Sequence, residues 1–305
     1  MRSYNTAHLA PVNLFPSLPW TRGSPVTHNL KRISLPFIAA SVLGLFSVAP
    51  PARAAEPSDQ ATELFRQSGL GTQLAMIDQQ IIGTISSQGH QIPLGTRKLL
   101  IQVVGETYSG EALKAEALAI LSQEIDPVLA EQTLTWLGLP ETREIEQLEE
   151  ASGTPGWKQG LLAHSLHMQQ KPPEPARMAL VKRLDAVGGT TEASIEVAAG
   201  TAFAVFSALN AAAGYPMTLE VLGQRVATQA AQMRQTIHQQ VIEAFLYTYR
   251  DVSDEALGRY VDFLETEVGQ WYCLLIRRSM TGAMGAAAKA MGETLEKELE
   301  ESGRR

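Results

Sequence analysis

Apolar residues along positions 59–305 recur every three or four residues, the spacing of helices with one buried face. Leu74, Ile77, Ile81, Ile82 and Ile85 keep it, as do Leu113, Ala117, Leu118 and Leu121. Between the periodic runs stand boundary signals. Residues 59–67 predict a short helix ending at Gly69, and 89–93 a loop. Asp126-Pro127 opens a helix carrying Leu129, Leu134, Trp136 and Leu137, because Asp accepts hydrogen bonds from free amides and Pro fits the first helical position. Gly138 stops it. Pro140 opens the next helix, which ends near the turn Gly153-Thr154-Pro155-Gly156. Residues 99–104 fit a strand or a buried helix equally well.

The run Lys171-Pro172-Pro173-Glu174-Pro175 reads as a linker, since adjacent prolines cannot sit inside a helix. A helix then runs to about Val187, before Gly188-Gly189. Residues 195–213 are Ala-rich, carry no charge after Glu196 and end at Gly214 and Pro216. Their small residues predict a buried central helix rather than a membrane span. A long helix follows from about Leu219 toward Tyr249. Ser253-Asp254-Glu255 caps another, with a stripe through Leu257, Tyr260, Val261, Leu264, Val268, Trp271 and Leu275. That orientation predicts Phe263 and Trp271 as core residues. In 280–291, Gly282, Ala286 and Ala290 recur every four residues beside Gly285, a strip suited to close packing on the 195–213 helix. The charged end from Glu293 predicts fraying. The reading is an all-α multi-helix bundle, with an N-terminal lobe (55–170), the linker (171–175), a C-terminal lobe (176–295) and a charged tail (296–305).

The two halves echo each other. Ile125-Asp126-Pro127 with Leu134, Trp136 and Leu137 aligns at constant offset with Val252-Ser253-Asp254 and Val261, Phe263 and Leu264. Either an internal duplication or two amphipathic helices of similar design accounts for this. The segment 253–295, with Ser253-Asp254-Glu255, Val261, Phe263, Leu264, Glu267 and Gly269, resembles a bacterial exported family of unknown function, DUF two-zero-five-nine. Residues 177–213 are a looser match, and Thr142 stands where the second copy has Gly269. The resemblance implies export and a helical fold, and it implies no catalytic residue.

Residues 1–54 contain no Asp or Glu. Lys31-Arg32, the apolar run 33–49 and Ala52-Arg53-Ala54 form the basic flank, apolar core and small-residue site of a secretory signal peptide. Cleavage is expected between Ala54 and Ala55, by the general secretory route, into the periplasm of a two-membrane bacterium. The long stretch before Lys31 raises the alternative of a start at Val26. Without residues 1–54 the chain keeps 20 basic and 32 acidic residues, a net charge of −12, which disfavours nucleic acid and anionic membranes as partners. Cys273 is the only cysteine and reads as a buried thiol.

No motif for catalysis, metal or cofactor stands out. His164 and His167 lie three apart but read as solvent-facing or internally satisfied. His90 falls in a loop, and His238 on a polar helix face with no partner evident from spacing. Gly69-Leu70-Gly71 reads as a helix break, lacking the strand and third glycine of a dinucleotide loop. The run Glu144, Glu146, Glu149 and Glu150 reads as a solvated helix face. Three functions remain open. The first is a non-enzymatic envelope protein that binds a partner or assists assembly. The second is a carrier of an apolar small molecule between helical lobes. The third is an enzyme whose site is assembled from scattered residues.

Overall fold

Short polar side chains set the helix starts, and the apolar stripes between them set the packing. The chain is seen in a computed structural model that describes residues 58–88, 94–152, 154–212 and 218–303. The leader with Ala54, Ala55 and Val26, and also His90, Gly214 and Pro216, lie outside the described residues. Among those described there are thirteen helices and no strand. The first half holds α1 (Asp59–Gln67), α2 (Leu70–Leu74), α3 (Ile77–Gln88), α4 (Leu94–Thr107), α5 (Gly110–Glu124), α6 (Pro127–Leu137), α7 (Pro140–Ala151) and α8 (Pro155–Gln170). The second holds α9 (Pro175–Gly188), α10 (Thr190–Ala212), α11 (Leu219–Thr248), α12 (Asp254–Leu264) and α13 (Glu267–Gly303). The ambiguous run 99–104 is helical, inside α4.

The predicted caps are present. The Asp126 carboxylate accepts from the amides of Val128 and Leu129 at 2.9 and 3.1 Å, with Pro127 in the first turn of α6. The Ser253 hydroxyl accepts from Ala256 N and starts α12. Ser58 does the same for α1 through Ala61 N.

One core spans both sides of the Lys171–Glu174 connection. Ala61, Leu64, Leu121, Trp136 and Ile145 from the first half join Val181, Leu246, Leu257, Val261 and Leu275 from the second. The two expected lobes therefore share a core instead of each enclosing its own. The reason is α13. Its 37 residues extend about 55 Å at 1.5 Å per residue. It packs most extensively on α10 and α5 and also meets α4, α6, α9 and α12. α1 lies on α6 much as α9 lies on α12, and Trp136 and Phe263, the positions paired by the sequence offset, stack on each other.

Several expectations are corrected by these contacts. The helix begun at Ser253 does not continue through Leu275. It breaks after Leu264, and Thr266 starts α13 by accepting from Gly269 N. Phe263 and Trp271 are half-buried against the core; the buried face of α12 is Leu257, Tyr260, Val261 and Leu264. The end from Glu293 is not frayed, for it continues α13, and Leu295 is buried. α10 is half-buried along most of its length rather than central, lying against α11 and α13.

The close approach of α13 to α10 is present, but on a different face from the one read in the sequence. Ala286 and Gly285 are exposed, and Gly282 faces Ile120 of α5. The buried strip is Ala283, Ala287, Ala288, Met291 and Leu295, with Gly292 against Ala204 of α10. Ala287→Leu is therefore expected to lose about 1–3 kcal/mol by overpacking, whereas Ala286→Leu should melt with the parent. Equal melting of the two variants in a thermal scan would contradict this orientation.

Candidate ligand cavity with a buried carboxyl–tyrosine network

α7 places Glu146 and Glu149 three residues apart, on neighbouring positions of one helix face. That face is not solvated, which corrects the reading of the run: Glu144 is exposed, but Glu146 is 5 % exposed. The Glu149 residue is only half-buried overall, yet its carboxyl group is enclosed by tyrosines. Tyr249, from the end of α11, donates to Glu149 Oε1 at 2.6 Å. Tyr260, from α12, lies 3.1 Å from the same oxygen and 3.0 Å from Glu146 Oε1.

The proton count of this network is informative. Three short contacts need three protons, and the two hydroxyls supply two. A carboxyl proton on Glu146 completes the chain, donating to Tyr260 Oη while Tyr260 donates onward to Glu149. The electrostatics agree. Burial, and then the Glu149 charge, push the Glu146 carboxyl well above the usual carboxylate range. Burial raises Glu149 less, because the Tyr249 and Tyr260 hydroxyls stabilise its ionised form. Burial and the two carboxyl groups raise Tyr249, Tyr260 and Tyr272 well above the normal phenol value, so all three stay neutral donors.

A raised folded pKa means that the native state holds a proton the unfolded chain releases. Stability from Glu146 is then full below the unfolded carboxylate value of about 4.3 and declines as pH rises through the folded value. Melting temperature should therefore climb on acidification from pH 8 to about 5. Glu146→Gln, which keeps the shape and supplies an amide donor, should gain about 1 kcal/mol at pH 8 and flatten that climb. An unchanged pH profile of melting in Glu146→Gln would exclude Glu146 as the proton carrier.

Beside the network lies a cavity of about 330 Å³, within the range of small-molecule sites. Glu149, Trp157 and Leu184 line it, with Phe245, Thr248 and Tyr249 of the α11 end. α13 contributes Tyr272, Cys273, Ile276 and Arg277. Trp157 is oriented by donating from Nε1 to Thr248 Oγ1 at 3.2 Å and by an edge contact with Tyr247. Cys273 is half-buried rather than fully enclosed. Burial, and then Glu149 and Glu146, push its thiol up to about 12, against a smaller opposing effect of Arg277. It is a poor nucleophile at neutral pH.

The remaining histidines behave differently. His164 packs beside the Tyr247 ring, and burial, then Arg250 and His167, lower its pKa; His167 is exposed. His238, for which the sequence offers no partner, meets Asp185 of α9: Nδ1 lies 3.0 Å from Asp185 Oδ2. Thr191 donates its hydroxyl to the same oxygen at 2.7 Å and its amide to Asp185 Oδ1 at 2.9 Å. This is not a nucleophile–base–acid chain. In such a chain the acid and the hydroxyl use opposite ring nitrogens, whereas here both approach Nδ1. Asp185 caps the start of α10 and ties α11 to it. Among the described residues no group of three or more His, Cys, Asp or Glu is placed to hold a metal ion.

Comparison with family models, with curated proteins and with solved structures finds no match to this chain. The cavity and its network are therefore read from their own chemistry. Sequence reasoning missed them because their parts come from α7, α11, α12 and α13, with Tyr249 and Glu149 100 residues apart and Tyr260 and Glu146 114 apart. The one available signal was two glutamates at helical spacing just after Ile145, which belongs to the apolar side of α7.

Proposed function

We propose that this protein is exported to the periplasm and binds a small, mainly apolar molecule in the cavity beside Glu149. The cavity itself carries the reading. A wall of Leu184, Phe245, Ile276 and aromatic rings, with a few fixed polar groups, is the composition of a small-molecule site. The hydrogen-bonded network holds α7, α11 and α12 around it, so the site is pre-organised rather than formed on binding. The acid-free leader with its Ala54–Ala55 junction supports the location. Among the described residues no helix is long and apolar enough to cross a membrane, which is compatible with a carrier released after cleavage. Partner binding or assembly in the envelope remains the competing role for the acidic surface.

Organic extraction of the purified protein followed by mass spectrometry tests the carrier reading. A small molecule should be recovered from the parent and lost from Ala244→Phe, which fills the cavity. Equal recovery from both, or none from either together with no measurable affinity for apolar probes, would reject it.

An enzyme is the second reading, favoured by one observation. Glu149 lines the cavity with a raised pKa and a neighbouring acid on Glu146, the pattern of an acid–base pair set by environment. Incubating the extracted molecule with fresh protein and following its mass decides this. An unchanged mass after prolonged incubation leaves the carrier.

A further inference from the structure

Two donors that α13 places on the cavity wall, Tyr272 and Arg277, have no hydrogen-bond partner among the described residues. Tyr272 is 6 % exposed and lines the cavity, and its hydroxyl makes no hydrogen bond among the described residues. Its ring is fixed by an edge contact with Trp136. Arg277 is half-buried, lines the same cavity and has neither a hydrogen bond nor a carboxylate within ion-pair reach. Arg177, Arg183, Arg234, Arg259 and Arg278, by contrast, pair with carboxylates.

Arg277 is held in place without being neutralised. Its guanidinium lies over Gly189, the left-handed residue (φ 64°) that ends α9, and a side chain at that position would displace it. The carbonyl end of α9 attracts a cation, while the remaining guanidinium N–H groups stay available to the cavity. Glu149 Oε1 already receives two tyrosine hydroxyls, and Glu146 is tied to Tyr260. A ligand group that meets Tyr272 and Arg277 must bring acceptors.

We infer that the cavity takes a small amphipathic monocarboxylate, its carboxylate held by Arg277 and the Tyr272 hydroxyl and its apolar body lying against Leu184, Phe245 and Ile276. This rests on the small-molecule reading of the cavity. Arginine and carboxylate match in geometry as well as charge. Glu149 lines the same cavity, and its carboxyl group disfavours a second negative charge, so a monoanion suits the site better than a dianion.

Three probes of one shape test the inference by calorimetry on the purified chain: 4-phenylbutyrate, 4-phenylbutan-1-ol and 4-phenylbutylamine. The carboxylate should bind about tenfold or more tighter than the alcohol, the expected gain from a charge-assisted pair, and the amine weakest. Tyr272→Phe, which keeps the ring contact with Trp136, and Arg277→Met should each lower carboxylate affinity and leave alcohol affinity unchanged, with melting temperature confirming the fold. If the alcohol or amine binds as tightly as the carboxylate, or if both variants retain full carboxylate affinity, the anion assignment is wrong and the cavity reading stands. If none of the three probes binds the parent, both are overturned.

Discussion

Replacing Trp136 by Ala is expected to cost about 3–5 kcal/mol of folding stability, the range for removing a large aromatic from a packed core. Trp136 joins the two halves of the chain. Its ring stacks on Phe263 with centroids 3.9 Å apart and planes 11° from parallel, and it also meets Tyr260 at 5.1 Å and Tyr272 at 6.3 Å. The cavity left by Ala would open onto rings that hold the carboxyl network, so the loss cannot stay local. At about 2–4 °C per kcal/mol for a chain of this size, melting should fall by roughly 6–20 °C. Phe263→Ala, at a half-buried position, should cost less. A double-mutant cycle should return about 0.5–1.5 kcal/mol of coupling for the stacked pair. A Trp136→Ala variant that melts within 2 °C of the parent would show that this contact does not organise the core.

Gly269→Ala should lose about 3 kcal/mol, the top of the usual overpacking range. The corner between α12 and α13 leaves no room for a side chain. A Cβ on Gly269 would run into the Phe263 carbonyl oxygen and the Leu264 backbone, whose carbonyl carbon would lie 2.7 Å away. These are main-chain atoms, so no rotamer change relieves the clash. α12 would have to move off α13, carrying Tyr260 away from Glu146 and Glu149. Chemical denaturation measures the loss, and a shift below about 0.5 kcal/mol would mean that the corner opens freely. Ser253 caps α12, Val261 and Leu264 bury, and Gly269 permits the corner. Each serves the fold.

The helices themselves were legible in the amino-acid order. Asp126-Pro127, Ser253 and Gly138 act through hydrogen bonds to amides and carbonyls within a few residues, so their effect is local and survives any tertiary arrangement. Periodicity identified the all-α class for the same reason. It was less able to choose a face where small residues crowd both sides, and α13 buries Ala283 and Ala287 where the spacing of Gly282 and Ala286 pointed elsewhere. The partner helix α10 was nevertheless foreseen, because both segments are small and uncharged. The site was not legible. Glutamates three apart on a helix look alike whether water or tyrosine faces them, and only the meeting of α7 with α11 and α12 turned Glu146 and Glu149 inward. Likewise the lone Arg277 and the partnered His238 differ in nothing that local sequence records. Whether each has a partner is settled by distances across the fold, where the low dielectric of the interior makes a missing partner matter.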